Sequence, residues 1–548
     1  MVFNVAAPAA TLSSQLPADT VTWETLYGML SSPHPLLKRL SNLPGSAVLW
    51  RYIKSSHQND PARTFLELLL VIFVAYTWLK SRTRGDRSNF VKLTEKEIED
   101  LVAEWQPEPL MYDDGNASSL PSAPVIVGPA SLHPKVAQAF PDPASLSRAI
   151  TTGSTDAIPK ALQEKPMINL ASANFSGLAQ SDHIKEKAIE CLRGYGVGSC
   201  GPSGFYGFFD VHIELENALA AFLGVEAAII YPQGFTTVCS VIPSFSKRGD
   251  VIVADRGVNF AIQKGIQISR SRVRWYDHND MDSLEEVLEG LDREAKRTKA
   301  PLTRKFIVTE GLFEGDGQIA DLPRLIELKK KYKYRLMLDE TWSFGALGPT
   351  GRGVSELYNI PGEEIDILMG SLAVGLCAGG GFCAGDANTI AHQRINSAAY
   401  VFSASLPPLL AVAANEGISH LAGALSTNGQ LPLANLNDNI QIMRAALEKL
   451  SNIVYVPSSN LSPLVHVHIR NTNGLNFYDQ EHILQEVVDE CMNNGVLISR
   501  TKKVWKQEAV EGSPSLRILI SAGLPKKEME KAANIVKSAL SSKLGKRR

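Results

Sequence analysis

Asp339 and Glu340 close an apolar run, Leu336-Met337-Leu338. A buried parallel strand that stops abruptly on a carboxylate delivers an acid to the rim of its sheet, where the ligands of α/β proteins gather. Asp339 is therefore a candidate site residue. Asp255 follows the run 251–254 and Glu310 follows 306–308 in the same way. After the run 227–231 comes Gln233-Gly234-Phe235-Thr236-Thr237, a strand-to-helix turn. Such a turn offers backbone N–H groups and a positive dipole end to a phosphate, or is simply a turn. Two further features surround Asp339. Gly345, Gly348, Gly351 and Gly353 precede a buried strand at 365–369 and a glycine-rich return ending in Gly379-Gly380-Gly381, and no lysine occurs from 334 to 448.

The elements that must position these groups follow from the alternation of runs. From Met167 onward, short aliphatic runs alternate with helical stretches such as 213–223 and 322–333, which implies an α/β fold with a mainly parallel sheet covered on both faces. From about residue 434 the order changes to a helix at 439–450, an alternating strand at 464–469, a helix at 479–493, strands at 496–500 and 516–521, and a basic helix at 526–543. That order predicts a smaller α+β domain. His466 and His468 read as strand residues on one face, and no metal site is expected. The six cysteines lack CxxC spacing and read as reduced thiols.

Several motifs, in order over 167–540, resemble the α-oxoamine synthase family, pyridoxal-phosphate enzymes of fold type I that join an amino acid to an acyl-CoA with loss of carbon dioxide. Asp339-Glu340-Thr341-Trp342-Ser343-Phe344-Gly345 is similar to the family's Asp-Glu-Ala-His-Ser-Phe-Gly. Asn174-Phe175-Ser176-Gly177-Leu178 resembles its Asn-Tyr-Leu-Gly-Leu motif. The loop 195–207, with Tyr195, Gly198, Cys200, Gly201, Phe205 and Tyr206, followed by His212, resembles the glycine-rich segment near the dimer interface. Ser403 opens a matching Ser-Ala-Ser-Leu-Pro-Pro, and Arg517 matches the basic residue near the substrate carboxylate, or makes a surface ion pair. The resemblance implies that Gly234 and Phe235 hold the cofactor phosphate and that Asp339 pairs with its pyridinium nitrogen.

The departures carry as much information. The family's Schiff-base lysine falls on Val374, its cofactor-stacking histidine on Asn259, the histidine beside the aspartate on Trp342, and a phosphate-contacting threonine on Ala404. No catalytic residue is expected in this chain, and its cofactor contacts should be vestigial. The resemblance then implies a heterodimer in which a lysine-bearing catalytic subunit binds pyridoxal phosphate covalently. L-serine and palmitoyl-CoA would be the substrates, with small activating subunits and Orm-type regulators as further partners. The alternative is a catalytically inert membrane scaffold or regulator with a transferase fold.

Composition bounds the rest. A chain of 548 residues, 44% hydrophobic with net charge -2, can bury a large core and gives no reason to expect nucleic acid as a partner. Five regions are expected: a membrane-proximal segment at 1–62, a transmembrane helix at 63–82, a linker and wrapping arm at 83–165, the large domain at 166–433 and the small domain at 434–548. The apolar run 65–79, ended by Tyr76 and Trp78 and followed by Lys80, Arg82, Arg84 and Arg87, reads as the N-terminal membrane anchor, with a buried core helix as the other reading. A single-pass endoplasmic reticulum protein with a cytosolic transferase domain is the expectation. Within the arm, Thr94 and Glu97 should cap a helix at 94–105.

Overall fold

Continuous aliphatic runs become the strands of a central sheet, because only a strand covered on both faces can bury every side chain. The computed structural model describes residues 46–81, 94–104, 167–298, 303–423, 433–502, 507–509 and 512–545. The segment before residue 46, the basic flank after residue 81 and most of the wrapping arm lie outside the described residues. The strands are β1 (Ile168–Asn169), β2 (Ala227–Tyr231), β3 (Val251–Asp255), β4 (Arg272–Tyr276), β5 (Lys305–Glu310), β6 (Arg335–Asp339), β7 (Ile367–Ser371), β8 (Gly381–Gly385), β9 (Val454–Tyr455), β10 (Leu464–Ile469), β11 (Val496–Leu497), β12 (Ser499–Arg500) and β13 (Leu516–Leu519).

Seven of them form the main sheet in the order β2-β8-β7-β6-β5-β3-β4. All neighbours are parallel except β8, which runs antiparallel to β2 and β7. Ile252, Val253, Ile307, Val308, Leu336, Met337 and Leu338 have no exposed surface. Parallel register carries Glu310 opposite Asp339, so the carboxyl ends of β5 and β6 place two acids side by side. That edge holds the candidate site.

The smaller unit is an antiparallel sheet in the order β12-β13-β10-β9, packed with the helices Ala434–Glu448, Phe477–Asn493 and Lys526–Leu544. It also takes in chain from the start of the large domain. β1 pairs in parallel with β11, and the Leu519 and Ala522 N–H groups donate to the carbonyls of Leu170 and Phe175. His466 is fully buried in β10 and bonds Ser515 Oγ at 3.0 Å, as a strand residue would. Among the described residues no cluster of His, Cys, Asp or Glu is set to hold a metal.

Residues 1–121 form a unit of their own. Within it, helices Ser46–Asn59 and Pro61–Ser81 pack together, with Tyr52 Oη donating to Glu67 at 3.3 Å. The helix Glu95–Glu104 opens as its sequence predicts: the Thr94 N–H donates to Glu97 Oε2 at 2.7 Å, and the Glu97 N–H donates to Thr94 Oγ1 at 3.3 Å. In Pro61–Ser81 the apolar residues Phe65, Leu66, Leu68 through Val74 and Tyr76 are all exposed. No helix among the described residues is long and apolar enough to cross a membrane, so the span expected at 63–82 is not shown.

Candidate active site

Asp339, at the end of β6, is buried and makes two bonds. Its Oδ1 accepts the Thr341 N–H at 2.9 Å, and its Oδ2 accepts Asn259 Nδ2–H at 2.9 Å. Asn259 is held three ways. Its Oδ1 caps the helix Phe260–Ser269 by accepting the Ile262 N–H at 3.0 Å, and its own N–H donates to Glu310 Oε1 at 2.6 Å. Glu310 Oε2 also accepts the Glu314 N–H at 3.0 Å. Burial raises the Asp339 carboxyl above its ordinary range, and burial together with the Asp339 charge drives Glu310 well above its own. Glu340 points elsewhere: buried, it accepts from Ser343 Oγ and the Val354 N–H, and burial pushes it up to about 7.

Arg517 reaches this region from β13. Its Nη1 lies 3.5 Å from half-buried Glu314, and its guanidinium sits 5.8 Å from the ring centre of Trp342. Its Nε has no hydrogen-bond partner among the described residues. Arg517, Glu314, Asn259, Arg256 and Lys502 line a cleft of about 440 Å³ between the sheet edge and the small domain. In a site that binds a carboxylate substrate, an arginine so placed would meet that carboxylate; here Glu314 of the same chain meets it. Glu314 escaped the sequence reading because nothing local marks it, and its partner lies some two hundred residues away in the chain.

His278 was also missed. Its Nδ1 lies 2.8 Å from Asp255 Oδ1 and its Nε2 lies 3.0 Å from Asp316 Oδ2, while Ser458 Oγ of the small domain donates to the Asp316 carbonyl at 2.6 Å. Burial alone would lower the imidazole, but the two carboxylates outweigh it and push it up to about 10. The clip ties the end of β3 to the loop after β5, which in turn accepts a bond from the small domain. An unfolded histidine titrates near 6.5, so its stabilisation is full below that pH and is lost as the pH rises through about 10. His278→Gln should lower unfolding free energy by about 2–4 kcal/mol at pH 6, with a smaller deficit near pH 10. Urea unfolding at both pH values checks this; an equal deficit at both would remove the charged clip.

Gly234 and Phe235 begin the helix Gly234–Phe245. A Cβ at Gly234 would lie 2.8 Å from Ser371 Oγ, so the turn is pressed against the end of β7. The Thr236 and Thr237 hydroxyls donate to the Gln233 carbonyl at 3.1 and 2.7 Å. Val374 follows β7 on the short helix Leu372–Leu376, packed against the core. Pyridoxal phosphate, the group implied by the resemblance, does not fit these residues as a covalently held cofactor. The valine has no amine, Ala404 no hydroxyl, and the Asn259 amide already donates to the aspartate oxygen.

The remaining candidate residues form separate groups. Asn174 Oδ1 accepts from Cys377 Sγ at 2.8 Å, a packing role beneath the helix that carries Val374. Tyr195 Oη donates to Asp210 at 2.8 Å. His212 is buried; the Phe209 N–H donates to its Nδ1 at 2.9 Å, so Nε2 donates to the Leu406 carbonyl at 2.7 Å. The loop carrying Gly198, Cys200 and Gly201 is knitted to the segment after Ser403: the Ser405 N–H donates to the Gly201 carbonyl at 2.9 Å, and Ser199 Oγ donates to the Ser405 carbonyl at 3.0 Å. Gly207 closes the loop, and a Cβ there would overlap the Gly201 carbonyl. Phe205 at 68%, Tyr206 at 101% and Phe402 at 84% exposure leave large apolar rings in the open around these loops.

Comparison with known proteins places this architecture. Residues 165–536 match the family model described as aminotransferase class I and II. Serine palmitoyltransferase 1 of Dictyostelium discoideum is 36% identical over 482 residues, covering 87% of this chain and 93% of that protein. Long chain base biosynthesis protein 1b of rice (Oryza sativa subsp. japonica) is 38% identical over 454 residues, covering 82% and 86%. The solved structure of Sphingomonas wittichii serine palmitoyltransferase aligns with a TM-score of 0.61 at 21% identity, covering 74% of this chain and 98% of that one, which is a likeness of fold. The chain belongs to the aminotransferase class I and II family, among the relatives named serine palmitoyltransferase 1 and long chain base biosynthesis protein 1.

Proposed function

We propose that this chain is the non-lysine subunit of a serine C-palmitoyltransferase, which condenses L-serine with palmitoyl-CoA to 3-ketodihydrosphingosine, releasing carbon dioxide and coenzyme A, in the first step of sphingolipid synthesis. The observation that carries the reading is the fold and ordered motifs of the family, together with valine at position 374. When bound in the partner subunit, pyridoxal phosphate supplies the electron sink for this chemistry. This chain's residues have other work. The bonds from Asn259 to Asp339 and to Glu310 and the Glu314–Arg517–Trp342 group order its own cleft, while the loop 195–207 and the segment around Phe402 and Ser403 present an apolar face to the catalytic subunit. Small activating subunits and Orm-type regulators complete the proposed assembly.

Cys200 tests that face. It is exposed, lies in the left-handed region at φ 57, and its small side chain makes only a weak contact to the Gly198 carbonyl. In a closely packed heterodimer, Cys200→Trp should cost ~1–3 kcal/mol of packing strain, a loss of about tenfold in turnover of the co-expressed pair, whereas Cys200→Ala is tolerated. Normal turnover and pairing with tryptophan would sink the interface assignment. Loss with both variants would instead point to the thiol itself.

The proposed location is the endoplasmic reticulum membrane, with the transferase domain in the cytosol; the exposed apolar surface of helix Pro61–Ser81 supports the membrane contact itself. Alkaline carbonate should leave the full chain in the pellet and release a chain lacking residues 1–87. Release of the full chain would remove the anchor. An inert scaffold differs from the proposed subunit in one result: deleting this chain from the pair would leave serine palmitoyltransferase turnover unchanged.

A further inference from the structure

We infer that the amino-terminal edge of the central sheet carries a second binding site, for a small anion of the nucleoside diphosphate class. β6 links the two edges. Asp339 at its end belongs to the cleft described above, and Arg335 at its start lines a separate cavity of about 650 Å³. Four residue steps of strand, about 13 Å, separate them.

Arg304 and Lys305 lead into β5, and Lys333 and Arg335 lead into β6. Register places Phe306 opposite Arg335, so the two cation pairs come from adjacent parallel strands, whose backbones lie about 4.8 Å apart. The one carboxylate among the described residues lining the cavity, Asp386, accepts the Thr389 N–H at 2.9 Å and the Thr389 hydroxyl at 2.5 Å from its own helix, and it also feels the Arg335 charge. Arg304 Nη1 donates to the Phe245 carbonyl at 2.7 Å, which fixes the guanidinium while its other side-chain donors meet no partner among the described residues. Lys305 Nζ rests 5.4 Å from the Tyr334 ring centre. Lys333 and Arg335 have no ion pair or side-chain hydrogen bond among the described residues. An anion entering the cavity would meet cations from both strands.

A flat wall completes the cavity. His392 stacks on Phe245 with ring centres 4.9 Å apart and 28° between planes. Its Nδ1 lies 3.2 Å from the Asn396 amide and so accepts, and its Nε2 lies 2.9 Å from the Ser244 carbonyl and so donates. The stacked ring is a flat surface suited to an aromatic base beside the cations.

The test is calorimetric titration of the full chain with ADP and with pyrophosphate at physiological salt. Saturable one-to-one binding of ADP is expected, weakened about tenfold or more by Lys333→Glu with Arg335→Glu. Both residues are exposed, so the fold should survive, and circular dichroism confirms it. Lys527→Glu with Lys531→Glu, on the exposed face of the last helix, should leave binding unchanged. No saturable binding, or equal weakening by both pairs, would overturn the site. Pyrophosphate binding as tight as ADP would overturn the nucleoside assignment.

Discussion

Borohydride reduction of the chain as purified, with no cofactor added, should trap no pyridoxyl adduct on any of its lysines, and its turnover of serine and palmitoyl-CoA should lie at least ~10³-fold below that of the co-expressed pair. The size of the effect follows from what the missing group does. An amine at position 374 would both exchange imines and move protons, and Val374 does neither. Installing it alone, as Val374→Lys, should not restore turnover. The Asp339 oxygen is bonded to Asn259, Arg517 is engaged by Glu314 and Trp342, and Ala404 offers no hydroxyl. A lysine packed against the core would also lose its charge readily. A reduced adduct on any lysine of the chain, or full activity of Val374→Lys alone, would end the reading.

The sheet was legible where burial imposes a continuous apolar run. β2 spans the run from Ala227 to Tyr231, and β10 the alternating segment from Leu464 to Ile469. β8 was not legible. Gly381-Phe382-Cys383-Ala384-Gly385 is bounded by glycine and short in β-branched side chains, yet it lies between β2 and β7, where small residues let the strands approach. β4 was passed over because its alternation of arginines with Val273 and Trp275 is that of an edge strand. The expected strand at 365–369 begins two residues later, because Asp366 turns its carboxylate to Lys329 and the Leu336 N–H.

The candidate site divides the same way. Asp339 could be found because a strand end is a local signal. Its partners could not: the Asn259 bond crosses 80 residues, and His278 meets Asp316 across 38. Such pairs are made by parallel crossover connections, which bring distant strand ends together without any trace in local sequence. The resemblance located position 259 as a departure, and the fold supplies its physical meaning, a neutral amide that caps a helix and satisfies a buried carboxylate at once.

Gly207→Val should be the most damaging single change on the apolar face. Its added Cβ would overlap the Gly201 carbonyl and lie 2.8 Å from the Pro202 oxygen, both rigid backbone. The loop must open to relieve this, losing the 3.0 Å bond from the Gly207 N–H to Pro202 and the 2.9 Å bond from Ser405 to Gly201. Phe205 and Tyr206 would move with it. Overpacking against backbone of this kind costs ~3 kcal/mol or more, or roughly a hundredfold in pairing affinity if the loop docks as drawn. The core of β5, β6 and β7 does not touch this loop's hydrogen bonds, so the isolated chain should keep its fold and circular dichroism spectrum. Measured against the catalytic subunit, the variant should fail to co-purify while Gly204→Ala pairs normally, since a Cβ at Gly204 meets nothing within 4 Å. Undiminished pairing of Gly207→Val would mean that the loop faces solvent in the working enzyme, and the partner would have to be sought on another surface.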